Sequence, residues 1–323
     1  MRAENDEPMV PLERPFPGRR GEVASANPAR ARGLFWLLAA LLICFCRPLY
    51  ELAAFAAGSQ LYSYILLMPV VTIYLIWPKR KSLRDGARPA RGLAAGFLIA
   101  GCLMLAGYWL ALRSGWNLAT EDRLAFTISA CFLMLCGALC FSLGRAALRA
   151  IALPVGLLAF MIPMPAAMLS GIDTFLQYGS AIVTDWMFTL AGTTHARTGL
   201  NFALPGTQGL RVAPECSGIH STWILLITSL IAGQLFLRSP WKRGVVALFV
   251  VPLALLRNGF RIFTIGELCV HIGPEMIDSP IHHQGGPLFF ALSLIPFFLL
   301  LALLYRSEHI RGESISKSSP NKI

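Results

Sequence analysis

Eight cysteines are spread over the 323 residues, and one is set apart by its neighbours. Cys44, Cys46, Cys102, Cys131, Cys136 and Cys140 lie in or against long apolar runs, where a thiol behaves as a small hydrophobe. Cys216 stands instead in Pro214-Glu215-Cys216-Ser217-Gly218, where a polar stretch gives way to an apolar one. That setting predicts a helix start near water, and a helix N-terminus favours the thiolate, the nucleophilic form. The competing use is a disulfide with Cys269, should the two share an oxidising compartment.

Other reactive groups gather downstream. Arg257 and Arg261 are four residues apart and share a helix face, with Asn258 beside Arg261. An arginine in or at the edge of a membrane span is costly and marks a functional site, unless it snorkels to the headgroups. His282 and His283 lie in the turn between Ser279 and Pro287. Paired imidazoles suggest a metal, but no acidic or Cys partner stands at ligand spacing, and neither metal nor cofactor is expected. A base for a cysteine nucleophile is the simpler use. His220, one turn after Cys216, is a rival base, whereas His195 and His309 read as incidental. Together the set suits acyl transfer. The thiolate attacks a peptide carbonyl, the imidazole moves the proton at the leaving amine, and the guanidinium steadies the developing oxyanion.

Such groups need a scaffold, and composition names its class. Hydrophobic residues make up 55% of the chain and charged ones 14%, with a mean hydropathy of +0.60. A globular domain carries about 25% charged residues, so this chain could not cover a soluble surface. The prediction is an all-α integral membrane protein. Runs 52–78, 92–112, 124–144, 150–172, 217–237 and 287–305 are long enough to span, while 34–46 and 244–256 are shorter. That gives a polytopic bundle of about eight transmembrane helices over residues 34–305. A disordered cytoplasmic arm (1–33) precedes it and a loose polar tail (306–323) follows. A further apolar segment, 174–194, is interrupted by Asp185 and is expected to lie at the interface or dip into the bundle.

The net charge of +11 then sorts by side. With both termini cytoplasmic, 21 of the 28 Lys and Arg fall in inner segments, the asymmetry of the positive-inside rule. A crossing at 174–194 would reverse every later loop. The excess therefore records orientation and calls for no nucleic-acid partner. It also gathers Arg211, Cys216, Arg257, Asn258, Arg261, His271, His282 and His283 toward one outer face.

Taken in order, these residues resemble the exosortase/archaeosortase family of polytopic membrane transpeptidases. Tyr62-Ser63-Tyr64-Ile65 through Pro69 to Trp77-Pro78-Lys79-Arg80 is similar to the family's early segment. Pro214-Glu215-Cys216-Ser217-Gly218-Ile219 resembles its nucleophile motif, and Asn258-Gly259-Phe260-Arg261 its arginine motif. His282, four residues before Gly286, resembles its histidine. The resemblance implies Cys216 as nucleophile, Arg261 as transition-state arginine and His282 as general acid/base, and it demotes His220 and the Cys216–Cys269 disulfide. Glu215, Asn258, His283, Arg257 and Arg211 are supporting or substrate-binding candidates. Arg257 lies outside the short arginine motif.

The implied substrates are secreted proteins whose C-terminal tail holds a Pro-Glu-Pro-like motif, a transmembrane helix and a basic cluster. The acceptor is open, a lipid or a polysaccharide among the candidates, and Arg257 or Arg211 would meet the motif's carboxylate. The implied place is a bacterial inner membrane, with the site on the outer face. Two other readings stand beside this one: a membrane protease using water, and a transporter or exopolysaccharide-assembly protein whose arginine pair binds an anion.

Overall fold

The computed structural model describes residues 28–80, 89–207, 209–213, 217–279 and 285–317. They form an all-α membrane protein carrying one small sheet. α1 (Pro28–Cys44) and α2 (Cys46–Gly58) meet at a 66° bend. A 3-10 turn (Ser63–Leu67), α3 (Met68–Ile76) and a second 3-10 turn (Trp77–Lys79) follow. α4 (Arg91–Arg113) packs along α5 (Thr120–Ala150), which also holds α1 and α2. α5 kinks at Gly144, where φ 77° and ψ 174° suit only glycine. The kink falls where the expected span 124–144 ends.

α6 (Ala152–Leu157) and a 3-10 turn (Leu158–Met161) run into a 97° bend before α7 (Ala166–Ala191). The bend is written in Ile162-Pro163-Met164-Pro165. Each proline removes a backbone donor and pushes its predecessor toward extended backbone, as at Ile162 (ψ 115°). Gly192 ends α7 in the left-handed conformation.

A three-stranded antiparallel sheet was not anticipated. β1 (Ala196–Thr198), β2 (Asn201–Ala203) and β3 (Leu210–Arg211) pair in that order. Thr198 faces Asn201 across the two-residue turn Gly199-Leu200, with φ +64° at the glycine. That Gly-X pair between short extended stretches is the signal a reading of spans passes over. Phe202, Leu204, Leu210 and Val212 of the sheet region pack with Ala181 and Phe188 of α7 and with residues of α9.

α8 (Ile219–Phe236), α9 (Pro240–His271), a 3-10 turn (Pro274–Asp278) and α10 (Gly286–Lys317) complete the chain. α9 is the hub and packs on α7, α8 and α10. Its start is fastened by Arg243, which donates Nε and Nη2 to Leu237 O (2.9 and 2.7 Å) and Nη1 to Gln234 Oε1 (2.6 Å). Glu308 of α10 accepts the backbone N–H groups of Arg238 and Ser239 at 2.9 and 3.0 Å, an acidic cap on the same corner.

Several expected boundaries move. Five described helices are long and apolar enough to cross a membrane, or seven if each bent pair is one span, against the eight expected. Residues 52–78 form no single helix, because Ser59 leaves helical geometry (ψ 125°) and starts a turn. The expected span 150–172 ends at the proline bend, and most of 174–194 is the second part of α7. α9 carries 244–256 on to His271, so Arg257 and Arg261 are the eighteenth and twenty-second of its 32 residues, far from either end. α10 extends through the expected tail to Lys317.

The α7–α9 contact is close because glycines line it. A Cβ on Gly259 would stand 2.6 Å from Val183 Cγ1 and 3.2 Å from Ser180 O, and one on Gly266 would overlap the Phe188 ring. Small residues at such crossings let helix backbones approach in a membrane. Gly266→Val is expected to destabilise the detergent-solubilised protein by about 1–3 kcal/mol or more, the range for overpacked cores. Gly171→Ala, with nothing within 4 Å of the added carbon, should leave the thermal transition in place.

Candidate active site

α9 brings the arginine motif against both its neighbours. Asn258, 2% exposed, donates Nδ2 to Ser180 Oγ of α7 at 3.0 Å. Thr184 Oγ1 donates to Gly259 O at 3.2 Å. Asn258 and Gly259 therefore register α9 on α7 before any chemistry is considered, and Ser180 and Thr184 are fully buried partners that motif reading does not find.

Arg257 turns the other way, toward α8. It is 8% exposed, and its Nη2 donates to Gly218 O (3.1 Å) and Thr222 Oγ1 (3.3 Å). Gly218 caps α8 with φ +70° and ψ 19°. A Cβ there would be strained by that backbone and would sit 2.7 Å from Arg257 Nη2 and 3.1 Å from Asn258 Oδ1. The glycine of Cys-Ser-Gly is thus needed twice, for its torsion and for the guanidinium packed on it. Burial rules out snorkelling as the account of Arg257.

Arg261 lines a cavity of about 560 Å³. Its wall includes Ser217, His220 and Ser221 from the opening of α8, Gln60 from the turn after α2, and Gly286 and Phe290 of α10. Arg257 is not in that wall. Of the expected residues, Arg261 is the one described there, while Arg257 and Asn258 lie behind it. Glu215, Cys216, His282 and His283 lie outside the described residues. Two wall residues are their near neighbours in sequence, Ser217 directly after Cys216 and Gly286 four after His282. Gln60 was not foreseen. Its signal is the Gly58-Ser59-Gln60 turn sequence inside an apolar run. His220, the rival base, is in the wall, and its Nε2 is buried without a hydrogen bond among the described residues.

The remaining expected residues lie apart. Arg211 is exposed on β3, opposite Asn201. Cys269 is a buried free thiol in the cluster beneath the sheet. His195 is more than incidental. Its Nε2 is 3.0 Å from Asp185 Oδ1, its Nδ1 is 2.9 Å from Thr193 O, and its ring packs on Phe188 and Phe202. That pairing accounts for the acid in the apolar segment 174–194, since Asp185 ties the end of α7 to the sheet.

The family model of the transmembrane exosortase (Exosortase_EpsH) matches residues 56–299. The chain belongs to the transmembrane exosortase family. The match runs from the end of α2 into α10 and encloses the whole cavity wall, Gln60 to Phe290. Exosortases are in general cysteine transpeptidases with a role in sorting proteins. No curated protein and no solved structure matches the chain.

In this exosortase the Asn258–Ser180 bond is the link most open to test. Ser180→Ala removes the Ser180 acceptor from the buried Asn258 amide and is expected to cost about 1–3 kcal/mol, read as a lower thermal transition in detergent. Thr174→Ala, whose exposed hydroxyl donates to Ser170 O of its own helix, should change it little.

Proposed function

We propose that this exosortase cleaves the C-terminal sorting tails of secreted proteins through a thioester on Cys216 and transfers the shortened protein to an acceptor. The observation that carries this reading is the cavity holding Arg261. The same wall contains the residue peptide-bonded to Cys216 and a residue four positions from His282. Three motifs far apart in sequence thus converge, through described residues, on one space with room for an extended peptide segment.

The chemistry follows from the groups. Cys216 attacks the carbonyl at the cleavage point, forming a C–S bond while the C–N bond breaks. His282 returns the thiol's proton to the departing amine. Arg261 stabilises the oxyanion of the tetrahedral intermediate. An acceptor hydroxyl or amine, supplied by a lipid or a polysaccharide, then displaces the thiolate, and water gives hydrolysis in its place. Arg211, exposed on β3, is the outward arginine suited to meet an acidic residue of the sorting motif. A substrate helix lying in the bilayer, with its basic end in the cytoplasm, would bring that motif to the outer surface.

Co-expression with a protein bearing such a tail tests the reading. Processing is expected to be lost with Cys216→Ala and with His282→Ala, and a thioester adduct on Cys216 should be trapped when acceptor is limiting. Continued processing by Cys216→Ala overturns the assignment. Loss with His283→Ala but not with His282→Ala transfers the proton-moving role one residue on.

Orientation has its own measurement. In a cysteine-depleted background, Gln60→Cys at the cavity should react with a membrane-impermeant maleimide added outside intact spheroplasts. Lys242→Cys, in the α8–α9 corner, should react only after lysis. The reverse pattern would put the cavity on the cytoplasmic side.

A further inference from the structure

Arg257 is a buried cation that no family motif accounts for, and its surroundings say what it does. Among the described residues no carboxylate pairs with it, and its Nη1 is buried without a hydrogen bond. Leaving a guanidinium desolvated and unmatched in charge costs several kcal/mol. A residue kept only for packing would be replaced by an apolar one at a gain in stability. What Arg257 does make is specific. Gly218 O accepts from Arg257 Nη2 (3.1 Å), from Thr222 Oγ1 (2.8 Å) and from the Thr222 backbone N–H (3.0 Å), and Thr222 Oγ1 in turn accepts from the guanidinium. Ser221 Oγ also donates to it at 3.3 Å, so one carbonyl at the start of α8 is held by four donors, one of them from α9. Gly218 is two residues from Cys216, and consecutive Cα atoms are about 3.8 Å apart.

We propose that Arg257 is a positioning residue, which locks the Ser217-Gly218 turn onto α9 and so sets the thiol of Cys216 relative to Arg261, one helical turn along the same helix. This rests on the reading of Cys216 as the nucleophile. The helix that carries Arg261 thus also clamps Gly218, two residues after the proposed nucleophile in sequence. Arg257 is not among the residues that line the cavity, which separates this role from that of a carboxylate receptor at the cavity wall.

The test is a kinetic comparison on the full-length exosortase with a tail-bearing substrate. Arg257→Met keeps the length of the stem and removes the donors. It should lower kcat by about ten- to a hundredfold, the cost of a reacting group displaced by roughly an ångström, with KM unchanged. Arg257→Lys, which can still reach Gly218 O with one donor, should restore part of the loss. Thr222→Val should show a smaller loss of the same kind. Combined with Arg257→Met it should add nothing, because both changes break one network. Size-exclusion profiles in detergent are the folding control. If Arg257→Met does not fold, Thr222→Val alone decides, its loss falling on kcat.

A loss confined to KM would make Arg257 a substrate-binding residue and overturn the proposal. Additive losses with Thr222→Val, or an unimpaired Arg257→Met or Thr222→Val, would overturn it as well. Cys216→Ala is assayed in parallel. Processing by that variant overturns the nucleophile reading and the positioning role with it. An inactive Cys216→Ala beside a normal Arg257→Met overturns the positioning role alone.

Discussion

A guanidinium buried among helices needs acceptors close by, and in this protein Arg257 finds two of them at the start of α8, which ties α8 to α9. Arg257 reaches Gly218 O and Thr222 Oγ1 only because Gly218 lacks a side chain and adopts a left-handed torsion. On the neighbouring face Asn258 and Gly259 draw α7 onto α9 through Ser180, Val183 and Thr184. Three consecutive residues of one helix thus fix two partners. α9 can do this because it runs unbroken for 32 residues, about 48 Å at 1.5 Å per residue. The cavity lies among Arg261 of α9, the start of α8, the start of α10 and the turn after α2.

The first half of the chain contributes through its breaks. The turn after α2 brings Gln60 to the cavity wall. Leu52, Ala56, Tyr62, Tyr64 and Ile65 pack with Ile227, and against Trp223 of α8. A straight helix over 52–78 would have carried Gln60 along its own axis and left no turn to seat on α8. The proline bend before α7 has a similar effect. It lets α7 lie along α9 while the short α6 stays with α3, where Thr72 Oγ1 donates to Pro154 O at 3.1 Å.

Much of this was legible in the residues, for reasons that also explain what was not. Hydropathy identifies a membrane protein because unpaired polar groups are excluded from lipid, and it locates apolar runs well. It is blind to bends, since a bent pair and a straight span have the same composition. Pro163, Pro165 and Gly144 were visible, but only tertiary packing decides whether such residues bend a helix or sit within it, as Pro252 does in α9. The motif residues were legible as a family resemblance, which the family match over residues 56–299 bears out. Their division of labour was not legible, because Arg257 and Arg261 differ in what faces them, which spacing on one helix does not reveal. Asp185 read as an interruption because its partner, His195, lies beyond the end of α7, directly before a strand that polarity alone does not announce.

That division of labour bears on how such a site resists error. Arg261 lines the cavity and is only partly buried, as the proposed oxyanion role requires. A partly solvated side chain on a long stem is a poor ruler, because its rotamer freedom blurs the distance it sets. Arg257 has the complementary properties. It is buried, held at two acceptors on another helix, and kept out of the cavity. On the proposed mechanism, one arginine stays mobile enough to follow a developing charge while the other, a turn away, holds the start of α8.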